Sequence, residues 1–171
     1  MKKIALNGIL ISLALVLSYI ESLFPTGLII PVPGIKLGLA NIVTMFALFY
    51  LGFNSAFTIS VLRCLLAALL FGGFSSMLYS LSGALLALLV MQLLKLGYDR
   101  LFSLLGISVG GAAAHNTGQI LMASLMMRNT AIFAYLPVLL LAGIVMGLIT
   151  AIAAQYLFYL VDKTGVVKHL S

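Results

Sequence analysis

The sequence predicts an all-α integral membrane bundle of six transmembrane helices, and three observations carry that reading. Of the 171 residues, 64% are hydrophobic and only 7% are charged. A soluble domain carries about 25% charged residues, so this chain cannot cover a water-facing surface. Apolar runs close to the ~20 residues needed to cross hydrocarbon recur six times along the chain. Apart from Arg63, the basic residues behind the net charge of +6 sit at the ends of these runs, which ties the charge to topology rather than to nucleic acid.

The first run, about 4–24, is too long and lacks an obvious small-residue cleavage site, so it reads as a retained helix rather than a signal peptide. The second and third, about 36–52 and 55–71, are short and are separated by a tight turn at Gly52-Phe53-Asn54. The fourth covers about 76–96 and the fifth about 106–127. The sixth, about 132–160, is long, and Pro137 near its start predicts an interfacial or kinked opening piece. With no linker or low-complexity stretch, residues 1–171 read as a single transmembrane domain.

Orientation follows from the flanking cations. Placing the N-terminus in the cytoplasm puts Lys2, Lys3, Lys95, Arg100, Lys163 and Lys168 inside, leaving Lys36 and Arg128 near the outer face. Both termini are then cytoplasmic, as an even number of spans requires. The longest outer connection, Pro25–Gly34, holds three prolines within nine residues yet is apolar at Leu28, Ile29, Ile30 and Val32. Such a braced apolar loop suits a lid over a cavity or a segment resting on the lipid interface.

Small residues at four-residue spacing mark helix contacts: Gly83-xxx-Ala87, Gly110-xxx-Ala114, and Gly143-xxx-Gly147 extended to Ala151. The first span carries Gly8-xxx-Ser12 and Ala14-xxx-Ser18, which could pack internally or dock a second protein.

Polar groups within the spans mark candidate function, because each is costly in hydrocarbon unless satisfied. His115, Asn116 and Gln119 fall at i, i+1 and i+4 in the fifth span, where they can share a face. They could be interhelical hydrogen-bond glue or the wall of a ligand pocket. Arg63 lies near the middle of the third span, too deep to snorkel easily. It could form a structural ion pair, with Glu21 as the acid, or bind a ligand. Glu21 and Lys36 could pair at the interface or flank a pocket mouth. Asn41 and Tyr79 add an amide and a hydroxyl. All of these belong to the outer half of the bundle, whereas the inner halves are nearly pure Leu, Ala, Val and Ile. That asymmetry favours a cavity opening outward over a through-channel, whose polar lining should continue to the cytoplasm. Lys36 and Arg128 at the mouth would suit an anionic compound.

Other chemistries are excluded. No Gly-x-x-x-x-Gly-Lys-Ser/Thr loop is present, so no P-loop binds ATP here. The single cysteine, Cys64, forms no intrachain disulfide or cysteine metal cluster, and His115 has no carboxylate near it in sequence. No metal, cofactor or catalytic residue is expected, and the chain does not read as an enzyme.

The strings Pro33-Gly34-Ile35-Lys36-Leu37-Gly38-Leu39-Ala40-Asn41-Ile42, Leu78-Tyr79-Ser80-Leu81-Ser82-Gly83 and Gly111-Ala112-Ala113-Ala114-His115-Asn116-Thr117-Gly118-Gln119 resemble the Gx transporter family, whose members are also labelled heptaprenyl diphosphate synthase component I. That family is similar in size, span count and orientation to the substrate-binding S components of energy-coupling factor transporters. The resemblance implies a multi-pass protein of the cell membrane that captures a vitamin-like molecule, or an isoprenoid or quinone precursor, from outside. A transmembrane coupling subunit and a pair of ATPases would then drive release inside. On that reading the polar positions Lys36, Asn41, Arg63, Tyr79, His115, Asn116 and Gln119 are the candidate substrate-binding residues, and Gly8, Ser12, Ala14 and Ser18 stand nearest to the family's usual Ala-xxx-Ala docking pair. The synthase label implies the alternative, a non-catalytic membrane subunit beside a soluble synthase. With only Glu21, Asp99 and Asp162, the chain lacks the paired acids that hold magnesium at a diphosphate.

Overall fold

A computed structural model describes residues 2–23, 36 and 38–164. The loop Pro25–Gly34 and Lys168 lie outside the described residues. Six α-helices follow in order: α1 Lys2–Ser22, α2 Asn41–Tyr50, α3 Phe53–Ala67, α4 Phe74–Lys95, α5 Leu104–Met127 and α6 Leu136–Thr164. A π-helical turn, Ala68–Gly72, extends α3, and a 3-10 turn, Thr130–Tyr135, leads into α6. No strand occurs among the described residues.

Four helical stretches are long and apolar enough to cross a membrane: Lys3–Ser22, Phe53–Gly72, Phe74–Lys95 and Thr130–Thr164. The other two depart from the expected uniform spans. At 24 residues α5 has the length, but it carries Ser108, His115, Asn116, Thr117 and Gln119 along its course. The expected second span, 36–52, shrinks to the ten residues of α2, about 15 Å of helix at 1.5 Å per residue. Its missing turns are the stretch around Lys36–Ala40, where Gly38 sits at φ +92° and the chain cannot be helical. The sixth run opens as foreseen on a separate short piece, with Pro137 in the first turn of α6, where its absent N–H has no helical partner to lose.

The short helix is the centre of the bundle. It contacts each of the other five helices, and Asn41 together with Val43–Leu48 is buried. Around it, α1 packs on α3, α3 on α4, α4 on α5 and α5 on α6. Two of these seams are very close. A Cβ on Gly118 would come within 2.8 Å of the Ser82 carbonyl oxygen, and one on Gly83 within 2.8 Å of the His115 carbonyl oxygen, so α4 and α5 touch backbone to backbone. On the other side of α5, a Cβ on Gly147 would lie 2.8 Å from Val109 Cα, and the Ser108 hydroxyl donates to the Gly147 carbonyl over 2.8 Å. The expected Gly143/Gly147/Ala151 ridge thus faces α5. Facing α4, however, α5 presents Gly111 and Gly118 as well as Gly110.

The end of the bundle holding the C-termini of α2, α4 and α6 is closed by rings. Phe46, Phe49, Tyr50, Tyr98 and Phe158 stack or meet edge to face with centroids 4.9–6.1 Å apart. Tyr50 donates to Asp162 over 3.1 Å, and Lys95 donates to the Leu48 carbonyl over 2.7 Å while lying 5.0 Å from the Phe49 ring. A cation on the last carbonyls of α2 is where the helix dipole favours one.

Candidate functional site

A polar cluster occupies the opposite end, built from the end of α1, the turn before α2, and mid-helix positions of α3, α4 and α5. Ser18 and Glu21, one turn apart on α1, face α3 and the turn; both are buried. Glu21 Oε1 accepts from the backbone N–H of Gly38 and from that of Leu39, the latter over 3.2 Å. Of the two readings for Glu21 and Lys36, a pair or the flanks of a pocket mouth, neither included this bond: one oxygen of the carboxylate caps the backbone of the turn.

Gly38 makes the turn possible twice over. Its positive φ suits glycine, and a Cβ there would stand 2.9 Å from Asn41 Nδ2 and 3.2 Å from His115 Cδ2. The turn therefore dives between Glu21 and His115. Behind it, the Lys36 N–H donates to Gln119 Oε1 over 3.3 Å, and Gln119 Nε2 lies 3.0 Å from His115 Nε2. Because Oε1 is engaged as acceptor, the Gln119 amide donates to His115 Nε2, which places the imidazole proton on Nδ1, against Gly83.

Arg63 reaches the same place from α3. It is only 2% exposed, and among the described residues its one hydrogen bond is a long 3.4 Å contact from Nη1 to the Ser18 hydroxyl. Its Nε and Nη2, Glu21 Oε2, and both amide atoms of Asn41 are buried without a hydrogen-bond partner. Lys36, also buried, holds its ammonium 5.4 Å from the Phe71 ring on the π-helical turn, and Phe71 meets Tyr19 edge to face. Arg63, Lys36 and Glu21 are near enough to act on one another electrostatically. Two basic side chains, Arg63 and Lys36, thus stand near the single carboxylate of Glu21. Just beneath, Thr44 and Ser60 share a 3.1 Å hydrogen bond between α2 and α3.

The structure thus brings together Lys36, Asn41, Arg63, His115 and Gln119, and separates two others from them. Asn116 turns to the far side of α5, where its amide donates to the Leu139 carbonyl of α6 over 2.5 Å. Tyr79 packs in an apolar cluster with Ile120, Ala123, Ile132 and Leu139. A full 100° per residue separates His115 from Asn116, enough to send them to different neighbours. Arg128 is exposed at the C-cap of α5. The four small residues of α1 also divide. Ala14 and Ser18 are fully buried inside the bundle, whereas Gly8 and Ser12 are exposed and nothing lies within 4 Å of a Cβ on Gly8. Gly38 and Phe71 join the site unforeseen, Ser18 joins it from the small-residue pattern of α1, and Glu21 belongs to it as the acid already placed near Arg63 and Lys36. The Lys-Leu-Gly-Leu-Ala-Asn string was the available signal for Gly38, and nothing local marks Phe71.

No group of three or more potential metal-ligating side chains gathers among the described residues.

Residues 10–157 match the model of a family described as heptaprenyl diphosphate synthase component I. The chain belongs to that family. No curated protein and no solved structure matches it significantly. For this component I member, the matched span contains every residue of the polar cluster, from Ser18 to Gln119.

Proposed function

We propose that this component I chain is a non-catalytic membrane subunit that captures a small anionic molecule at the Arg63 cluster from the extracytoplasmic side. Its termini face the cytoplasm, and it hands the molecule to a transport module, in the manner of an energy-coupling factor S component. The observation that supports this is Arg63: a guanidinium buried in the bundle with two of its three nitrogens unpartnered. Burying a cation is costly unless an anion and hydrogen bonds compensate it, and Glu21 has already committed one carboxylate oxygen to the Gly38–Leu39 backbone. Lys36, Asn41, His115 and Gln119 are the neighbouring polar side chains that a carboxylate or phosphate would join. The aromatic closure at the other end favours capture over free passage. Vitamin-like compounds and isoprenoid or quinone precursors bearing an acidic group are the substrate classes proposed. A transmembrane coupling subunit and a pair of ATPases are the proposed partners, in the cell membrane.

Purified protein titrated with candidate anions, alongside Arg63→Gln and His115→Ala, tests the site. Binding that weakens about tenfold or more in Arg63→Gln is expected for loss of a charged hydrogen-bond donor. Unchanged affinity in both variants would remove the cluster from the binding site.

The family description favours a second reading, an accessory subunit held at the membrane beside a soluble prenyl-diphosphate synthase. Co-purification from native membranes separates the two: an ATPase pair supports transport, and an aspartate-rich synthase supports the accessory role.

A further inference from the structure

Three side chains of the polar cluster end in buried atoms that meet no hydrogen-bond partner among the described residues: Arg63 at Nε and Nη2, Glu21 at Oε2, and Asn41 at both Nδ2 and Oδ1. None of the three residues is more than 5% exposed, so bulk water is not the missing partner. Two contacts hold them side by side. Ser18, which accepts from Arg63 Nη1, stands one turn before Glu21 on α1, about 4.5 Å along the helix. Glu21 Oε1 accepts from the Gly38 N–H, and a Cβ on that same glycine would stand 2.9 Å from Asn41 Nδ2. Ser18 thus ties the carboxylate to the guanidinium, and Gly38 ties it to the amide.

The orphaned atoms are of both kinds. Arg63 Nε and Nη2 and Asn41 Nδ2 only donate, whereas Asn41 Oδ1 only accepts, and the Glu21 carboxylate offers a second acceptor at Oε2. The amide does not titrate, so its oxygen remains an acceptor at every pH. We infer that the captured molecule is an acid bearing a hydroxyl or amino group on the neighbouring carbon, its acid at Arg63 and its donor at Asn41 and Glu21. The inference rests on the capture reading above and names the class of molecule. A simple acid would meet the donors alone. Its own lone pairs would face Asn41 Oδ1 and Glu21 Oε2, leaving two buried acceptors unmet, and that is costly. An O–H or N–H beside the acid group satisfies both kinds at once. A site built in this way rejects the analogue that lacks the donor.

Matched acids that differ only in that donor test it: lactate against propionate, and mandelate against phenylacetate. Cys64 is the single cysteine and is buried, so a thiol-reactive dye reports unfolding of the purified protein in detergent. Lactate or mandelate is expected to raise Tm at a concentration about tenfold or more below that its partner acid needs. The response to every acid should weaken in Arg63→Gln. Asn41→Leu should erase the preference for the hydroxy acids. Should that variant not fold, Glu21→Gln takes its place: it keeps one oxygen for the Gly38 and Leu39 N–H groups and sets a donor where Oε2 stands. Equal potency within both pairs, with a response that depends on Arg63, overturns the inference and leaves the capture reading standing. A preference for the hydroxy acids that survives these variants overturns it equally. If none of the four acids raises Tm in an Arg63-dependent way, Arg63 and Glu21 complete each other by side-chain rotation, and the capture reading falls with the inference.

Discussion

The backbone N–H of Lys36 donates to the side-chain oxygen of Gln119, 83 residues further along the chain, over 3.3 Å. That bond fastens the turn before α2 to the middle of α5 and, through the amide's other atom, orients the His115 ring. A non-helical turn inside a helical bundle leaves backbone donors with no intrahelical acceptor, and Gln119 and Glu21 are the side chains that take them up.

Replacing Gln119 by Leu leaves the Lys36 N–H buried without its acceptor and frees the His115 ring. The expected cost is about 1–3 kcal/mol, read as a lowered Tm in detergent. Gln119→Glu keeps an acceptor for the N–H but removes the donor to His115, so it should recover part of the loss. No change in Tm for Gln119→Leu would mean that the turn is held by other contacts.

Gly38→Ala should be worse than its size suggests. The added Cβ meets Asn41 Nδ2 at 2.9 Å in a backbone conformation at φ +92°, and left-handed backbone alone costs a non-glycine residue about 1–2 kcal/mol. Reduced yield and lower Tm are expected, whereas Gly52→Ala, at φ +87° with open space around it, should lose only the backbone share. Equal effects at the two positions would show that the cluster does not crowd Gly38.

Arg63→Met should separate stability from binding. Breaking a buried ion pair by removing one partner costs about 3–5 kcal/mol. Arg63, however, has no hydrogen bond to Glu21 among the described residues and Lys36 remains near that carboxylate, so the loss of Arg63 avoids most of this cost. Unliganded Arg63→Met protein is therefore expected to melt no lower than wild type and to lose its response to anions. A fall in Tm of several degrees in the absence of ligand would mark Arg63 as a structural residue.

On α1 and α5, two glycine substitutions should behave oppositely. Gly118→Val drives a side chain into the Ser82 carbonyl oxygen, 2.8 Å from the added Cβ, and should disrupt the α4–α5 seam. Gly8→Val meets nothing and should leave Tm unchanged, yet it should weaken co-purification with a coupling subunit if the Gly8–Ser12 face docks one. Retained co-purification would remove that face from the docking site.

Orientation is open to a direct test. In a Cys64→Ser background, Asn129→Cys in the turn after α5 and Asp99→Cys in the turn after α4 mark opposite ends of the bundle. An impermeant thiol reagent added to intact cells should label Asn129→Cys and spare Asp99→Cys. The reverse pattern would invert the topology and turn the capture site toward the cytoplasm.

Much of this was legible in the sequence, and the failures have physical causes. Hydropathy marked every helix, because each is apolar or nearly so around its circumference. It overextended α2, since Lys36–Ala40 is apolar enough to pass for helix and only the positive φ at Gly38 shows otherwise. Mid-span Arg63, His115 and Gln119 stood out because polar groups are rare in such a chain. Asn116 was misplaced beside them because small residues line α5 on two sides, so adjacent positions meet different helices. Glu21 was read as a partner for Arg63 or Lys36 or as a flank of a pocket mouth, and its bonds to backbone N–H groups could not be foreseen without the turn. The contact of Lys36 with Phe71 depends on the π-helical turn, which spacing rules do not register.

The brevity of α2 has a consequence for energetics. Its start, where Lys36 and Asn41 meet the cluster, stands only about 15 Å of helix above the ring-stacked base, against ~30 Å of bilayer oil. Under the proposed capture role, an anion held there would lie about half-way through the hydrocarbon, with the Tyr50–Asp162 hydrogen bond and the stacked rings closing the rest of the path.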